Sequence, residues 1–315
     1  MKRRLLGRTG LEISVVGFGA WAIGGGGWEW GWGPQDDADS IAAIERAIEL
    51  GVNWIDTAPV YGFGRSEEVV GRAVAKMSEK PFIFSKCGLE GRNGTGVNEL
   101  KAATIERQCE ESLKRLGVET IDLLQIHWPI PDEDVEEGWA ACVALISAGK
   151  VRHIGVSNFT VAQLMRANAL ATVETLQPPY SLITREIEND VLPYCVAEGI
   201  GVLAYSPMAS GLLTGAFDAE RVAALPDDYF RSHVPHFREP ELSRNLAATE
   251  RLRQVGERHG ASPGATAVAW VLRDPVVSAA IVGFRRADQV DGILPAAGEL
   301  DLSSEEIAFI EDDGA

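Results

Sequence analysis

The sequence predicts an α/β chain folded as a (β/α)8 (TIM) barrel, and three observations carry that expectation. Eight short apolar runs recur along the 315 residues, amphipathic segments fall between them, and no linker or low-complexity tract divides the chain. Strand and helix alternating over this many units favour a parallel sheet wrapped by helices, and eight units match the closed form. Barrels of this length are commonly one domain. Residues 1–315 are therefore expected to form a single unit, with an N-terminal β-hairpin and long loops at the C-terminal face.

The apolar runs are ISVVGFG (13–19), VNWIDTA (52–58), FIFSKCG (82–88), IDLLQIHW (121–128), RHIGVSNF (152–159), ETLQPPYS (174–181), GVLAYSPM (201–208) and SAAIVGF (278–284). Each is strand-length and rich in β-branched or aromatic residues, and several are apolar throughout, as strands buried on both faces are. Helical patterns occupy 36–51, 66–77, 98–117, 134–150, 160–171, 188–199 and 262–274. Several begin with Asp, Ser or Asn and end in Gly, with acidic residues in the first turn, as capping and the helix dipole favour. The longest irregular piece, 214–239, is long enough to suggest a functional loop.

A doubly wound sheet is the rival architecture. Gly17, Gly19 and Ala22 match the G-x-G-x-x-A spacing of a dinucleotide fingerprint. That motif must open a helix, and here it runs into IGGGGWEWGWG, which cannot form one.

Composition narrows the function. With 46% hydrophobic and 24% charged residues the chain can build a sizeable core. A net charge of −17 argues against nucleic-acid and anionic-membrane partners. The basic start MKRRLLGRTG is broken before an apolar stretch can form, so no signal peptide is read, and no transmembrane run is visible. Cys87, Cys109, Cys142 and Cys195 are scattered and form no C-x-x-C pair. A reducing cytoplasm is the expected location, with Cys87 a small buried side chain. His233 and His236 have metal-like spacing but no further ligands nearby, so no metal is expected.

In a barrel, polar residues at the C-terminal strand ends share one mouth. Asp56 is expected to end the second strand, Lys86 the third and His127 the fourth, while Tyr61 follows the second in a Gly-rich turn. A carboxylate at a buried strand end needs a partner, and Lys86 is the expected one. The ammonium would lower the Tyr61 pKa, and His127 would donate to a substrate oxygen or shuttle a proton.

With these four residues in place, the chain resembles the aldo-keto reductase family, in the branch containing bacterial reductases and potassium-channel β subunits. The motifs LGRTGLEISVVGFGAW, DTAPVYGFGRSE, GKVRHIGVSNF, SPMASGLLTG and IVGFRRADQV carry the resemblance along nearly the whole length. It implies direct hydride transfer between a nicotinamide cofactor and an aldehyde, ketone or sugar, with Asp56, Tyr61, Lys86 and His127 catalytic and Tyr61 the general acid or base.

The resemblance also implies that Ser157, Asn158 and Gln177 hold the carboxamide, that Tyr205 stacks on the nicotinamide and that Trp21 lines the pocket. Ser206, Pro207, Met208 and Gly211 would wrap the pyrophosphate, and Gly283, Arg285 and Gln289 would meet the adenosine. An arginine in GFRR favours NADPH, with NADH possible. The family's adenine-binding Glu–Asn pair is replaced here by Gly292 and Ile293. Arg221, Arg231 and Arg238 are further phosphate candidates. Trp28, Trp30 and Trp32 hang over the mouth, either stacking on substrates or covering one another, and Trp128 is a candidate pocket wall. Two rivals are a slow cofactor-sensing subunit and a Schiff-base enzyme using Lys86. Substrate identity and oligomeric state are not read from the sequence.

Overall fold

The computed structural model describes residues 1–226 and 229–312. It opens on an antiparallel hairpin of β1 (Arg3–Leu5) and β2 (Glu12–Ser14), with Arg3 opposite Ser14. In chain order there follow β3 (Val16–Gly19), α1 (Asp37–Glu49), β4 (Trp54–Asp56), α2 (Arg65–Ala75) and β5 (Phe82–Cys87). A second hairpin, β6 (Leu89–Arg92) and β7 (Thr95–Asn98), precedes α3 (Ala102–Leu116), β8 (Ile121–Ile126), α4 (Val135–Ser147), β9 (Val151–Ser157) and α5 (Val161–Leu170). The chain continues through β10 (Thr175–Gln177), α6 (Val191–Glu198), β11 (Gly201–Tyr205), α7 (Ala219–Ala223), α8 (Glu241–Arg258) and α9 (Pro263–Leu272). It ends with β12 (Val277–Gly283), α10 (Ala287–Ala297) and α11 (Ser304–Glu311).

Eight strands close in the order β10-β11-β12-β3-β4-β5-β8-β9, every neighbouring pair parallel. Local chemistry starts and stops the helices as expected. Asp36 caps α1 by accepting from the Ala38 and Asp39 amides, Thr160 and Gln163 form a capping box on α5, and Gly117 ends α3 in the left-handed conformation.

Some expectations are corrected. The run 174–181 gives only three strand residues, because Pro178 and Pro179 lack amide donors. Lys86 is the penultimate residue of β5, not its last. Helices α8, α10 and α11 were not expected: α8 is mostly polar, and α10 carries Pro295 inside it. The irregular segment 214–239 holds α7 and two short 3₁₀ turns, Phe230–His233 and Pro235–Phe237; its Asp227 and Asp228 lie outside the described residues.

Two apolar layers hold the fold. One lies between barrel and helices, and the other fills the barrel floor with Leu6, Ile13, Trp54, Phe84, Leu123, Leu203, Ala279 and Ile281. Leu6 and Ile13 come from the N-terminal hairpin segment, which therefore plugs the bottom. Trp54 anchors there, its indole N–H donating to the Ser14 carbonyl at 2.9 Å. A Cβ on Gly17 would stand 2.2 Å from the Trp54 ring, so this glycine makes room for an indole. The fingerprint reading fails on the same ground: β3 leads into a single 3₁₀ turn, Ala20–Ile23.

Candidate active site

Strands β4, β5 and β8 are neighbours, so the groups at their C-terminal ends meet. Asp56 is last in β4, and the His127 amide donates to the Cys87 carbonyl at 2.9 Å, extending the ladder one residue beyond β8. Lys86 is only 1% exposed. Its Nζ donates to Asp56 Oδ2 at 2.6 Å and to the Thr57 carbonyl at 3.0 Å, and lies 5.1 Å from the centroid of the Tyr61 ring. The His127 ring meets Tyr61 edge-on, with centroids 5.7 Å apart. All four expected catalytic residues thus converge.

The loop bearing Tyr61 is fastened from below by the GRSEE segment. Ser66 donates to the Ala20 carbonyl at 2.9 Å and sits 2.9 Å from the Thr57 hydroxyl. Glu67, fully buried, accepts from Ser85 Oγ and Arg115 Nε, each at 2.7 Å.

The electrostatics differ in one respect from expectation. Burial, and then the Asp56 charge, push the Tyr61 phenol well above its ordinary value instead of the Lys86 ammonium lowering it. Burial lowers the Lys86 pKa although Asp56 opposes the shift. Burial and the Lys86 charge hold His127 well below 6.5, so its imidazole is neutral at pH 7.

A cleft of about 1060 Å³ runs from this cluster across the barrel mouth. Ser157, Asn158, Gln177 and Tyr205 line it beside the cluster and are bonded to one another. Ser157 Oγ donates to the Gln177 carbonyl at 2.8 Å, and the Tyr205 hydroxyl donates to Asn158 Oδ1 at 2.9 Å. Asn158 Nδ2 reaches the His127 carbonyl at 3.0 Å, and Gln177 Nε2 donates to Asp56 Oδ1 at 2.8 Å. The amide-edged slot is therefore wired directly into the Asp56–Lys86 pair.

Further along the cleft lie Ser206, Pro207, Met208 and Gly211. Ser206 (φ 56°), Ala209 (47°), Ser210 (56°) and Gly211 (94°) share left-handed backbone, the kind of turn that gathers amides into an anion-binding nest. A slot edged by amides at one end and a nest at the other fits a nicotinamide dinucleotide. Gly283, Arg285 and Gln289 line the far end, with Gly292 and Ile293.

Arg285 has another occupation. It donates to Gln35 Oε1 at 2.6 Å, to the Trp32 carbonyl at 3.0 Å and to the Pro34 carbonyl, while its amide is held by Gln289 Oε1 at 2.8 Å. Arg286 is paired with Asp288. Arg231, one of the loop arginines, is buried: it donates to the Ser210 carbonyl at 2.8 Å and stacks 4.3 Å over Trp32. Arg221 lines the cleft, and Arg238 bonds the Ser232 carbonyl away from it.

The Trp-rich segment folds as a roof. Trp21 Nε1 donates to the Trp30 carbonyl at 3.1 Å, and Trp21, Trp32 and Phe230 form a triangle with centroids 5.3–5.5 Å apart. Trp28, Trp30 and Trp128 also line the cleft. Phe230 and Asn98, both missed in the sequence, line it too, and Gln35, likewise missed, holds Arg285. Only the aromatic density of the opposing segment could have signalled Phe230.

All four cysteines are buried, with Cys87 Sγ 3.8 Å from Cys142 Sγ. The His236 ring lies 3.2 Å from the Thr184 hydroxyl. Among the described residues no cluster of three or more His, Cys, Asp or Glu side chains could hold a metal ion, and no helix is long and apolar enough to cross a membrane.

Residues 16–312 match the model of the aldo/keto reductase family. The chain belongs to the aldo/keto reductase family. It is 38% identical to "Aldo-keto reductase YhdN" of Bacillus subtilis over 92% of this chain and 87% of that protein. It is 32% identical to the "NADH-specific methylglyoxal reductase" of Escherichia coli over 92% and 91%. Among solved structures, the glycerol dehydrogenase AKR11B4 of Gluconobacter oxydans superposes with a TM-score of 0.87 at 39% identity, covering 99% of this chain and 94% of that one. This aldo/keto reductase is thus an oxidoreductase of carbonyl and alcohol substrates.

Proposed function

We propose that the protein reduces an aldehyde or ketone, or oxidises the corresponding alcohol or sugar, with NADPH or NADH bound along the cleft. The observation that carries the reading is the Lys86 ammonium buried between Asp56 and the Tyr61 ring, with neutral His127 edge-on to the same ring. Ser157, Asn158 and Gln177 would hold the carboxamide, Tyr205 and Trp21 would flank the nicotinamide, and the nest at 206–211 would take the pyrophosphate. When bound, the cofactor supplies or accepts the hydride.

The protein's own groups handle the proton. In reduction Tyr61 donates its phenolic proton to the carbonyl oxygen, and the adjacent ammonium stabilises the phenolate left behind. Asp56 holds Lys86 charged and oriented, while His127 donates a hydrogen bond to the same oxygen. The Trp roof excludes water from the step. Lys86 is ill placed as a nucleophile, since its Nζ is buried and already bonded to Asp56 and Thr57.

Cofactor choice follows from Arg285 and Arg286. A 2′-phosphate would have to draw Arg286 from Asp288 or Arg285 from three oxygens, so the two cofactors are expected to bind within about tenfold of each other, ~1.4 kcal/mol. The E. coli relative is described as NADH-specific. The test is a fluorescence titration with NADPH and NADH, followed by a screen of aldehydes, ketones and sugars at the reduced-nicotinamide absorbance. Binding with turnover supports the reading. Tight binding with no turnover on any carbonyl would make the protein a cofactor sensor instead.

A further inference from the structure

Gln125 lies one layer below His127 on the inward face of β8. Leu123 on that face belongs to the barrel floor, and the ladder continues through the His127 amide, so residues 123, 125 and 127 all point inward. The register partners of Gln125 are Lys86 on β5 and Gly155 on β9. On β10, Thr175 stands two residues before the cleft-lining Gln177 and shares its face. A Cβ on Gly155 would fall 1.9 Å from Thr175 Oγ1, so Thr175 leans across that glycine into the gap between β8 and β10.

Gln125 and Thr175 are completely buried, and His127 is 8% exposed. Gln125 Nε2, Gln125 Oε1, Thr175 Oγ1 and His127 Nδ1 have no hydrogen-bond partner among the described residues. Orphaned buried polar groups are rare and costly. Finding them beneath one imidazole on β8 and β10, with the side-chain-free Gly155 of β9 between, points to a shared partner, and the carbons of the floor cannot supply it. An ordered water can, because it satisfies two to four polar groups. Inward side chains two apart on a strand have Cα atoms about 7 Å apart, a span one bridging molecule covers.

We propose that Gln125, with Thr175, is a positioning residue for His127: a water held by the Gln125 amide and the Thr175 hydroxyl donates to Nδ1 and keeps the imidazole proton on Nε2. The role rests on the reading that His127 faces the reacting oxygen. A neutral imidazole carries one N–H, and the group offered to one nitrogen sets the proton on the other. If Nδ1 carried the proton, the ring would present a bare lone pair to the substrate oxygen and repel it.

The test is the tautomer of His127, read by ¹⁵N NMR of the resting, histidine-labelled protein. The wild type is expected as the Nε2–H form. Gln125→Leu, which fills the space without hydrogen bonds, is expected to mix the tautomers and lower kcat about tenfold, with the dissociation constant for NADPH unchanged and Tm equal or higher. Gln125→Glu offers an acceptor and is expected to draw the proton to Nδ1. Gln125→Met serves in place of Leu if the Leu protein does not fold. An Nδ1–H wild type, or a tautomer unmoved by every variant, overturns the proposal. Full turnover by His127→Ala would instead overturn the reading beneath it, without bearing on the tautomer.

Discussion

Arg285 donates to the main-chain carbonyl of Trp32 at 3.0 Å, tying the far end of the cleft to the aromatic roof. Substituting Arg285 by Ala is therefore expected to weaken NADH and NADPH alike, by about tenfold, through a loosened roof. Fluorescence titration checks this. A loss confined to NADPH would instead mean that Arg285 leaves Trp32 to bind the 2′-phosphate.

Tyr61→Phe removes the proton donor and little else. Carbonyl reduction is expected to fall by at least ~100-fold, while the cofactor dissociation constant stays within about threefold of the wild type. Steady-state rates and the same titration decide it, and a variant with full activity would dismiss Tyr61 from the role.

The pH profile follows from the two shifted groups beside Lys86. Reduction needs the protonated phenol, and burial with Asp56 holds that pKa well above 10, so the donor survives in alkali. Neutral His127 is retained in acid, because burial and Lys86 hold its pKa well below 6.5. The kcat for reduction is expected to be flat from about pH 6.5 to 9. Alcohol oxidation, which needs the phenolate, should rise toward about tenfold per pH unit. A break in the reductive profile near neutrality would contradict both assignments.

Gly17→Ala places a methyl 2.2 Å from the Trp54 ring, which is fully buried and held by its hydrogen bond to the Ser14 carbonyl. The expected cost is about 1–3 kcal/mol, measurable as a lowered denaturation midpoint with the fold retained.

Period and punctuation in the sequence determined the barrel: apolar runs short enough for strands, helices with capped ends, and the chain order that makes β4, β5 and β8 neighbours. They also determined that Asp56, Lys86, Tyr61 and His127 would share a mouth, because strand-end positions are set by the chain alone once a barrel is assumed. Tertiary structure decided what those groups experience. Burial, a property of the whole packed mouth, raised the Tyr61 pKa where charge alone suggested a fall. It gave Arg231 and Arg285 an occupation as clasps for the roof, because both meet Trp32, which lies far from them in sequence. It also set Gln125 and Thr175 on either side of Gly155, a relation of strand register that no local pattern encodes.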